Sequence, residues 1–394
     1  MSSLAILGGT PVRRRPFAAW PVFDERERRA VLDVLESGVW GGYSPKVPEL
    51  ERAFAEFHEA AFGITGANGS VTLEAALLAA GIGPGDEVIV PPVSFIATAT
   101  AVARVGATPV FADIQAASYN LDPARAADAI TPRTRALIPV HFAGQPADID
   151  ALLDLARRHD LVVIEDAAHA HGASWRGRKV GSFGQFGSFS FQQSKTMTAG
   201  EGGILLTSDQ ALAEKARAVS NQGRRKGGAW YEHTSLGTNY RLTGWQAAVL
   251  LAQLARLPEQ LNRRARNAAI LDRKLGQCGI LRPPAVDPRV TSHGYYLYVL
   301  RLDGSIPRDL FVQALGAEGI PGASAYPHPL YRNAVFETLA HRTGDCPEGE
   351  RFCRECFWVS HEILLADESD LDDFVCAVEK IRDASHELVS AARV

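Results

Sequence analysis

Short apolar runs rich in β-branched residues alternate with Ala- and Leu-rich stretches between about residues 60 and 207 of this chain. The short runs are typical of buried strands, and the longer stretches have the apolar periodicity of helices. The predicted strands are 87–90, 108–111, 136–140, 161–164, 187–191 and 204–206, and the predicted helices are 71–80, 97–105 and 149–159. Such alternation predicts an α/β fold with a mostly parallel central sheet covered by helices on both faces.

The pattern changes near residue 250. A long helix is predicted at 243–275, followed by a strand at 295–302 and helices at 307–318 and 368–382. A chain of 394 residues is long enough for two domains. We therefore predict a large domain with an N-terminal arm at residues 1–250 and a smaller α+β domain at residues 251–394.

Composition and charge argue against several classes of function. The net charge of −4 does not suit a nucleic-acid binder, and the basic cluster Arg224, Arg225 and Lys226 lies in a Gly-rich stretch typical of a solvated loop. No run approaches the ~18 apolar residues of a membrane span, and the first residues lack a signal-peptide pattern. Cys353 and Cys356 form a C-x-x-C without the second pair usual in zinc sites, so we expect buried thiols and no metal. The expected location is the cytoplasm.

An aspartate and a lysine follow two predicted strands. The strand 161–164 leads into Asp166, and the strand 187–191 leads into Lys195, which precedes a Gly-Glu-Gly-Gly stretch at 200–203. In open α/β sheets, ligands bind outside the carboxyl ends of the strands. A lysine amine can form an imine with the aldehyde of pyridoxal 5′-phosphate (PLP), and an aspartate can keep the pyridine nitrogen protonated, so that the ring accepts electrons. Together the two residues indicate a PLP site.

A phosphate site is also predicted. Asn68, Gly69 and Ser70 lie just ahead of the predicted helix 71–80, where free backbone N–H groups and the helix dipole favour a dianion. Ser190, on the strand that leads to Lys195, offers a further hydroxyl donor. An isolated Asn-Gly-Ser is usually only a turn, so its assignment depends on the aspartate and the lysine.

With these motifs the chain resembles the DegT/DnrJ/StrS-type sugar aminotransferases, which are fold-type-I PLP enzymes. The resemblance is carried by residues 165–172 (EDAAHAHG) and by residues 189–203, with Phe-Ser-Phe, the lysine and Gly-Glu-Gly-Gly. It extends from residues 7–11 to residues 359–361 and so spans nearly the whole chain. The family's phosphate loop usually has threonine where this chain has Ser70, which keeps a hydroxyl.

The resemblance implies a role for each matching position. Lys195 would hold the cofactor and move a proton, and Asp166 would bind the pyridine nitrogen. His169 would lie near the cofactor's phenolic oxygen, and Phe95 would stack on its ring. The phosphate would be held by Gly69, Ser70 and Ser190. Asn239 would bind the phosphate of the neighbouring subunit, which implies a homodimer with shared active sites.

The same resemblance implies an aminotransferase of secondary-metabolite biosynthesis, of the aminoglycoside type. Its amino donor would be L-glutamine or L-glutamate, and its acceptor a keto-cyclitol or keto-sugar. Residues 187–203 are most similar to the branch that acts on scyllo-inosose-type ketones. They are also similar to 3-amino-5-hydroxybenzoate synthase, which dehydrates and aromatises its substrate. A nucleotide-linked keto-sugar is a third possible acceptor, and the sequence leaves these alternatives open.

Several Tyr, His and Arg residues are candidates for contacts with a hydroxyl-rich substrate, because Tyr and His both donate and accept hydrogen bonds. These candidates are His141, Arg241, Tyr326, His328 and Tyr331. Each could instead be a structural hydrogen-bonding residue. Two other classes of protein fit the sequence less well. The lysine and the aspartate disfavour a cofactor-binding scaffold without turnover. A Rossmann dehydrogenase is disfavoured because its Gly-x-Gly-x-x-Gly motif has no convincing match in the chain.

Overall fold

The computed structural model describes residues 4–225, 227–229 and 231–392, so Lys226 of the predicted basic cluster lies outside the described residues. The strands are β1 (Phe62–Gly66), β2 (Glu87–Val90), β3 (Thr108–Phe111), β4 (Thr134–Leu137), β5 (Val162–Asp166), β6 (Ser174–Trp175), β7 (Arg178–Lys179), β8 (Phe186–Ser190), β9 (Gly203–Thr207), β10 (Leu281–Arg282), β11 (Val290–Ser292), β12 (Leu297–Leu302), β13 (Gly322–Ser324), β14 (Arg342–Thr343) and β15 (Cys356–Ser360). The helices are α1 (Glu25–Ser37), α2 (Lys46–Phe57), α3 (Gly69–Ala79), α4 (Ala97–Arg104), α5 (Pro123–Asp128), α6 (Ile149–His159), α7 (Gln210–Ser220), α8 (Gly244–Gly276), α9 (Arg308–Ala317), α10 (Pro347–Glu355), α11 (Glu368–Asp383) and α12 (Ser385–Ala391).

The central sheet has eight strands in the order β1-β9-β8-β5-β4-β2-β3-β14. The pairings from β14 through β3, β2, β4 and β5 to β8 are parallel, whereas β9 runs antiparallel to both β8 and β1. The predicted mostly parallel sheet is therefore confirmed. Because β8 and β9 are antiparallel neighbours, the chain turns back between them, and Lys195 lies in this turn.

Helices cover both faces of this sheet, as the sequence pattern predicts. On β2, Ile89 packs into a core with α2, α6 and α8, while Val88 and Val90 on either side pack into a second core with α3, α4 and α7. Val163 and Ile164 of β5 divide between the two cores in the same way. Successive side chains of a strand point to opposite faces, so a strand that is apolar at every position needs a helical layer on each side.

The long helix α8 connects the central sheet to a further hydrophobic core. Its first half packs Leu250 and Leu257 against the core beside α2, and its second half packs Leu271 and Leu275 into the further core. That core also contains a four-stranded antiparallel sheet, β10-β12-β15-β13, together with α9 and α11. Leu4 near the start of the chain joins it. The division into domains at residue 250 stays a prediction.

In the described part of the chain, no helix combines the length and the apolar character needed to cross a membrane.

Candidate active site

A cavity of about 700 Å³ opens where the carboxyl ends of β5 and β8 meet the start of α3. Its volume lies within the range of roughly 300–1,000 Å³ typical of small-molecule sites. The predicted site residues that line it are Gly69, Ser70, Phe95, Asp166, His169, Ser190 and Lys195. A larger cavity of about 850 Å³ beside α7 contains none of these groups, so size alone does not identify the site.

Lys195 presents a buried amine to this cavity. The residue is only 8% exposed, and its Nζ lies 4.2 Å from the centre of the Tyr296 ring. Burial lowers the pKa of Lys195 to about 8, and the nearby Asp166 carboxylate opposes part of that shift. Near neutral pH, an appreciable fraction of this amine is therefore unprotonated and able to attack a carbonyl group.

Asp166, the last residue of β5, is held by two hydrogen-bond donors. The Thr98 hydroxyl donates to Oδ2 at 2.7 Å, and the Ala168 amide donates to Oδ1 at 3.3 Å. Ser94 Oγ lies 2.7 Å from Thr98 Oγ1. Because the single proton of Thr98 is directed to Asp166, Ser94 must be the donor in that contact. Burial raises the pKa of Asp166, while these hydrogen bonds and the charge of Lys195 act in the opposite direction.

His169 is a neutral ring whose tautomer can be assigned. Its Nδ1 accepts the Ala143 amide at 3.3 Å, so the ring proton lies on Nε2. Burial lowers the pKa of His169 well below its usual value, and the charge of Lys195 adds to that effect. The ring lies 4.3 Å from that of Tyr296 between centres. Nε2–H has no partner within the described residues and remains available to a ligand.

The start of α3 is suited to a phosphate. Asn68 caps the helix by accepting the Val71 amide at 3.0 Å, and the amides of Gly69 and Ser70 make no hydrogen bond within the described residues. A Cβ atom on Gly69 would lie 2.8 Å from Cβ of Ser190, so only glycine allows this close approach to β8. A dianion here would meet two free amides and the hydroxyls of Ser70 and Ser190. The donor set fits the phosphate group of PLP.

Phe95 and Asn239 differ in their placement. Phe95 lines the cavity, and 58% of its surface is exposed, so its ring is accessible to a flat ligand. Asn239 is exposed and lies outside the cavity of its own chain, where its Oδ1 accepts the Arg241 amide at 3.3 Å.

His141 does not line the Lys195 cavity in this structure, and its contact with the substrate stays a prediction. The ring is fully buried, and its Nδ1 accepts the Ala147 amide at 3.0 Å. Its Nε2–H therefore donates to Oε2 of Glu165, at 3.0 Å. Glu165 also accepts the amides of Gly181, Phe183 and Gly184. Both ring nitrogens make hydrogen bonds within the protein, and His141 thereby links the loop after β4 to Glu165 on β5.

Tyr331 and Arg241 also lie away from the Lys195 cavity of their own chain. The Tyr331 hydroxyl donates to Oε1 of Glu350 at 2.7 Å, and the substrate contact of Tyr331 stays a prediction. Arg241 Nη1 donates to Oδ1 of Asn221 at 2.8 Å and lines a separate polar cavity of about 380 Å³. The substrate contact of Arg241 likewise stays a prediction.

The two other substrate candidates, Tyr326 and His328, are not among the residues that line the cavity. Tyr326 is half-buried and packs edge-on against Trp358; burial raises its pKa, and the nearby Tyr296 and Asp166 raise it further. His328 is half-buried, and its Nδ1 lies 3.1 Å from the carbonyl of Pro329. Substrate contacts by Tyr326 and His328 stay predictions.

Thr98 and Tyr296 line the cavity but were not predicted from the sequence. Thr98 lies one residue into the predicted helix 97–105, where a threonine carries no special signal. Tyr296 falls inside the predicted strand 295–302, so it was interpreted as an ordinary strand residue. In the structure β12 begins only at Leu297, and Tyr296 precedes it in an irregular segment.

The comparisons with known proteins agree with this geometry. The model of the DegT/DnrJ/EryC1/StrS aminotransferase family matches residues 21–378. A Streptoalloteichus tenebrarius protein that bears the provisional name L-glutamine:3-amino-2,3-dideoxy-scyllo-inosose aminotransferase is 42% identical, over 97% of this chain and 98% of that protein. A Micromonospora echinospora L-glutamine:2-deoxy-scyllo-inosose aminotransferase is 39% identical over 97% and 98%. The crystal structure of 3-amino-5-hydroxybenzoic acid synthase matches with a TM-score of 0.90 and 38% identity, over 95% of this chain and all of that chain.

Proposed function

The chain belongs to the DegT/DnrJ/EryC1/StrS aminotransferase family, and from this membership we propose that it transfers an amino group from L-glutamine or L-glutamate to a keto-cyclitol in aminoglycoside-type biosynthesis. The enzyme is a PLP-dependent aminotransferase. The observation that carries the proposal is the cavity in which the amine of Lys195, the carboxylate of Asp166 and the start of α3 come together.

PLP supplies an aldehyde that captures amines and a cationic ring that takes up electrons released at the donor's α-carbon. Lys195 is the group that would hold it, because its buried amine is nucleophilic near neutral pH. The two free amides at the start of α3, with Ser70 and Ser190, would hold the phosphate. Phe95 would cover one face of the ring.

Lys195 is also suited to move the proton in the reaction. Because burial lowers the pKa of Lys195 to about 8, its unprotonated Nζ would act as a base in the cavity. It can take a proton from Cα of the amino donor and, in the second half-reaction, deliver one to the carbon that receives nitrogen. The cavity wall formed by Tyr296 keeps this amine buried between the two transfers.

Asp166 and His169 would each act on a different proton in the site. Asp166, whose ionised form is favoured by hydrogen bonds from the Thr98 hydroxyl and the Ala168 amide, would hold the proton on the pyridine nitrogen. His169 would donate its Nε2–H to the phenolic oxygen, because its Nδ1 already accepts the Ala143 amide. The assignments at both positions stand as proposals.

The substrate proposal is supported by the relatives' names and by the chemistry of the cavity mouth. The relatives described above are named for L-glutamine and for scyllo-inosose derivatives, which are polyhydroxy ketones, one of them with an amino group as well. The cavity offers neutral donors and acceptors from Gln192, Ser194 and Tyr296, as such a ketone requires. A second candidate is the dehydration and aromatisation of an aminoshikimate-like acid, because the matching crystal structure is that of a synthase named for an aminohydroxybenzoic acid product.

We further propose that the enzyme acts as a two-fold dimer with shared sites. Asn239 lies outside its own cavity and on the surface, in a segment where Leu236 is 95% exposed. Trp40 and Tyr43 are likewise exposed apolar side chains. Large exposed apolar groups mark association surfaces, and a two-fold contact would give each site the partner's Asn239. The proposed location is the cytoplasm, where thiols such as the buried Cys353 and Cys356 stay reduced.

A substrate panel tests the proposed reaction. The purified holoenzyme should absorb at roughly 410–430 nm, and L-glutamine should bleach that band. Adding scyllo-inosose-type ketones should restore it and yield an aminocyclitol, detected by mass spectrometry. Restoration only by a nucleotide-linked keto-sugar, or aromatisation of an aminoshikimate-like acid, would replace the proposed acceptor. A band that L-glutamine and L-glutamate both leave unchanged would contradict aminotransfer from either donor.

Complementation tests the shared site. Lys195→Ala and Asn239→Ala should each be nearly inactive alone. Mixed under conditions that allow subunit exchange, they should recover about a quarter of wild-type activity, because half of the dimers are hybrids and each hybrid has one intact site. No recovery, with subunit exchange confirmed by native mass spectrometry, would show that Asn239 does not act across the interface.

A further inference from the structure

Three aromatic side chains from outside the central sheet contact the two residues that precede Lys195. We call residues 192–195 the lysine turn. Trp20 Nε1 donates to the carbonyl of Gln193 at 3.0 Å, and the Tyr296 hydroxyl lies 2.8 Å from Oγ of Ser194. His361 Nε2 lies 3.0 Å from the carbonyl oxygen of Ser194. The lysine turn is thus held by the N-terminal arm and by residues far later in the chain.

The direction of the His361 contact is fixed by Arg264. Arg264 Nη2 lies 3.1 Å from Nδ1 of His361, and a guanidinium can only donate. Nδ1 therefore accepts, the ring proton is on Nε2, and Nε2–H donates to the Ser194 carbonyl. That carbonyl belongs to the peptide bond between Ser194 and Lys195. The chain Arg264–His361–Ser194 consequently ends on the lysine's own peptide group.

The rest of the lysine turn is held mainly from within or by nearby residues. The Lys195 amide donates to the carbonyl of Gln192, and the Ser194 amide donates to the side chain of Gln192. The Gln193 amide donates to the carbonyl of Gly200 at 2.8 Å. These bonds shape the turn but do not relate it to α8 or to β15. His361 and Arg264 supply that relation.

Arg264 is a buried cation without a carboxylate partner among the described residues. It is fully buried, and its Nε and Nη1 make no hydrogen bond in the described part of the chain. Burial lowers its pKa to about 9, with Glu362 opposing the shift. Burying an unpaired charge costs free energy, so stability alone does not explain this residue. Its one hydrogen bond goes to His361.

We propose, on the basis of the proposed aminotransferase function, that Arg264 and His361 are positioning residues that orient Lys195 through the Ser194 carbonyl. Arg264 lies on α8, and His361 follows β15 directly, so both are anchored in or beside the hydrophobic core that those elements share. The two hydrogen bonds that join Arg264, His361 and the Ser194 carbonyl set where the Lys195 side chain leaves the lysine turn. Trp20, whose ring lies 4.4 Å from that of His361, packs edge-on against the imidazole and also lies 5.5 Å from the Arg264 guanidinium.

Two substitutions of His361 separate orientation from packing. His361→Phe keeps an aromatic ring beside Trp20 but removes both hydrogen bonds, whereas His361→Gln keeps a donor and an acceptor. In the holoenzyme, His361→Phe should lower kcat by roughly 10- to 100-fold with KM within about threefold, since a misplacement of about 1 Å can cost 100-fold. His361→Gln should recover kcat to within about fivefold of wild type.

A second readout does not depend on turnover. In the apoenzyme, the rate at which an amine-selective reagent modifies Lys195, followed by peptide mass spectrometry, should rise at least about threefold in His361→Phe and stay near wild type in His361→Gln. His58→Phe is the matched control, because His58 is also fully buried and bonds backbone groups, at Val180 and Gly172, away from the lysine turn. It should destabilise the protein. The rate of Lys195 labelling should not change, and kcat should not fall relative to KM.

Arg264→Met separates a loss of activity caused by unfolding from one caused by misplacement of Lys195. It removes the donor to His361 together with an unpaired buried charge, so Tm should stay the same or rise while kcat falls. Equal losses in His361→Phe and His361→Gln, or unchanged kcat in Arg264→Met, would overturn the positioning role. If the wild-type enzyme fails to transfer amino groups at all, the proposed function fails, and the labelling experiment alone still decides the orientation of Lys195.

Discussion

The Thr98 hydroxyl donates a hydrogen bond of 2.7 Å to Oδ2 of Asp166, from a residue 68 positions earlier in the chain. Ser94 donates in turn to Thr98 Oγ1 at 2.7 Å, so the carboxylate is the acceptor at the end of a short chain of hydroxyls. This chain favours the ionised carboxylate in a site where burial favours the neutral acid. We therefore expect the proposed role of Asp166 at the pyridine nitrogen to depend on Thr98.

Thr98→Val should weaken the enzyme most at low pH. Burial raises the pKa of Asp166, and loss of the Thr98 hydrogen bond removes an opposing effect, so the pKa rises further. A bond to a charged group is worth about 1.5 kcal/mol, which corresponds to about one pH unit. The acidic limb of the profile of kcat/KM against pH should move up by about one unit. Thr98→Ser keeps the hydroxyl and should leave the limb in place; an unmoved limb in Thr98→Val would show that the hydroxyl is not needed.

Capture of PLP by the apoenzyme should depend on pH through Lys195. Burial lowers the pKa of Lys195 to about 8, so the reactive unprotonated amine grows about tenfold per pH unit below 8 and saturates above it. The rate of appearance of the band at roughly 410–430 nm, followed by stopped flow, should show this profile. A rate that continues to climb up to pH 10 would mean that the amine is not desolvated in solution.

Gly69→Ala should weaken PLP binding by about tenfold, because an added Cβ would lie 2.8 Å from Cβ of Ser190 and push α3 away from β8. The free amides at the helix start would then lose their alignment on the phosphate. Gly276→Ala is the control, since a Cβ at the end of α8 meets no atom within 4 Å. Cofactor titration of both apoenzymes measures the effect, and equal affinities would contradict a phosphate site at this helix.

Acid should destabilise the fold through its buried histidines. Burial lowers the pKa of His58 to about 3, and that of His293 to about 3, compared with about 6.5 in an unfolded chain. Between these values the unfolded state binds protons that the folded state does not, so the free energy of unfolding falls as pH falls from 6.5 towards 3. Each histidine contributes a slope of up to about 1.4 kcal/mol per pH unit.

Urea unfolding at pH 7, 6 and 5 measures this slope. His58→Phe removes one of these buried histidines. Its free energy of unfolding should therefore depend less steeply on pH than that of the wild type, whatever its absolute stability. Identical slopes in the two proteins would show that His58 titrates normally in the folded state.

Helices and strands with an uninterrupted pattern of apolar residues were predictable from the sequence. The predicted helix 149–159 coincides with α6, and the predicted strands 87–90 and 108–111 coincide with β2 and β3. β14 has only two residues, and its pairing with β3 is set by tertiary contacts, so it left no local signal. The predicted strand 136–140 is observed as β4, which ends at Leu137, two residues before Pro139, which has no N–H to donate to a ladder.

The site was predictable where its residues lie at or shortly after the end of a strand, as Asp166 and Lys195 do. Thr98 and Tyr296 were missed because their contacts join segments far apart in the chain, and neither belongs to a local motif. The surroundings of His141 could not be predicted for a related reason. Its polar ring suggested a substrate contact, whereas Glu165, 24 positions later, occupies it within the protein.

The central claim is that Lys195 is the amine that binds PLP covalently. Borohydride reduction of the holoenzyme followed by proteolysis and mass spectrometry tests it most directly. We expect a single phosphopyridoxyl label on the peptide that contains Lys195, and no label in Lys195→Ala. A label on another lysine, or an unlabelled Lys195 in a protein that still transfers amino groups, would contradict the account.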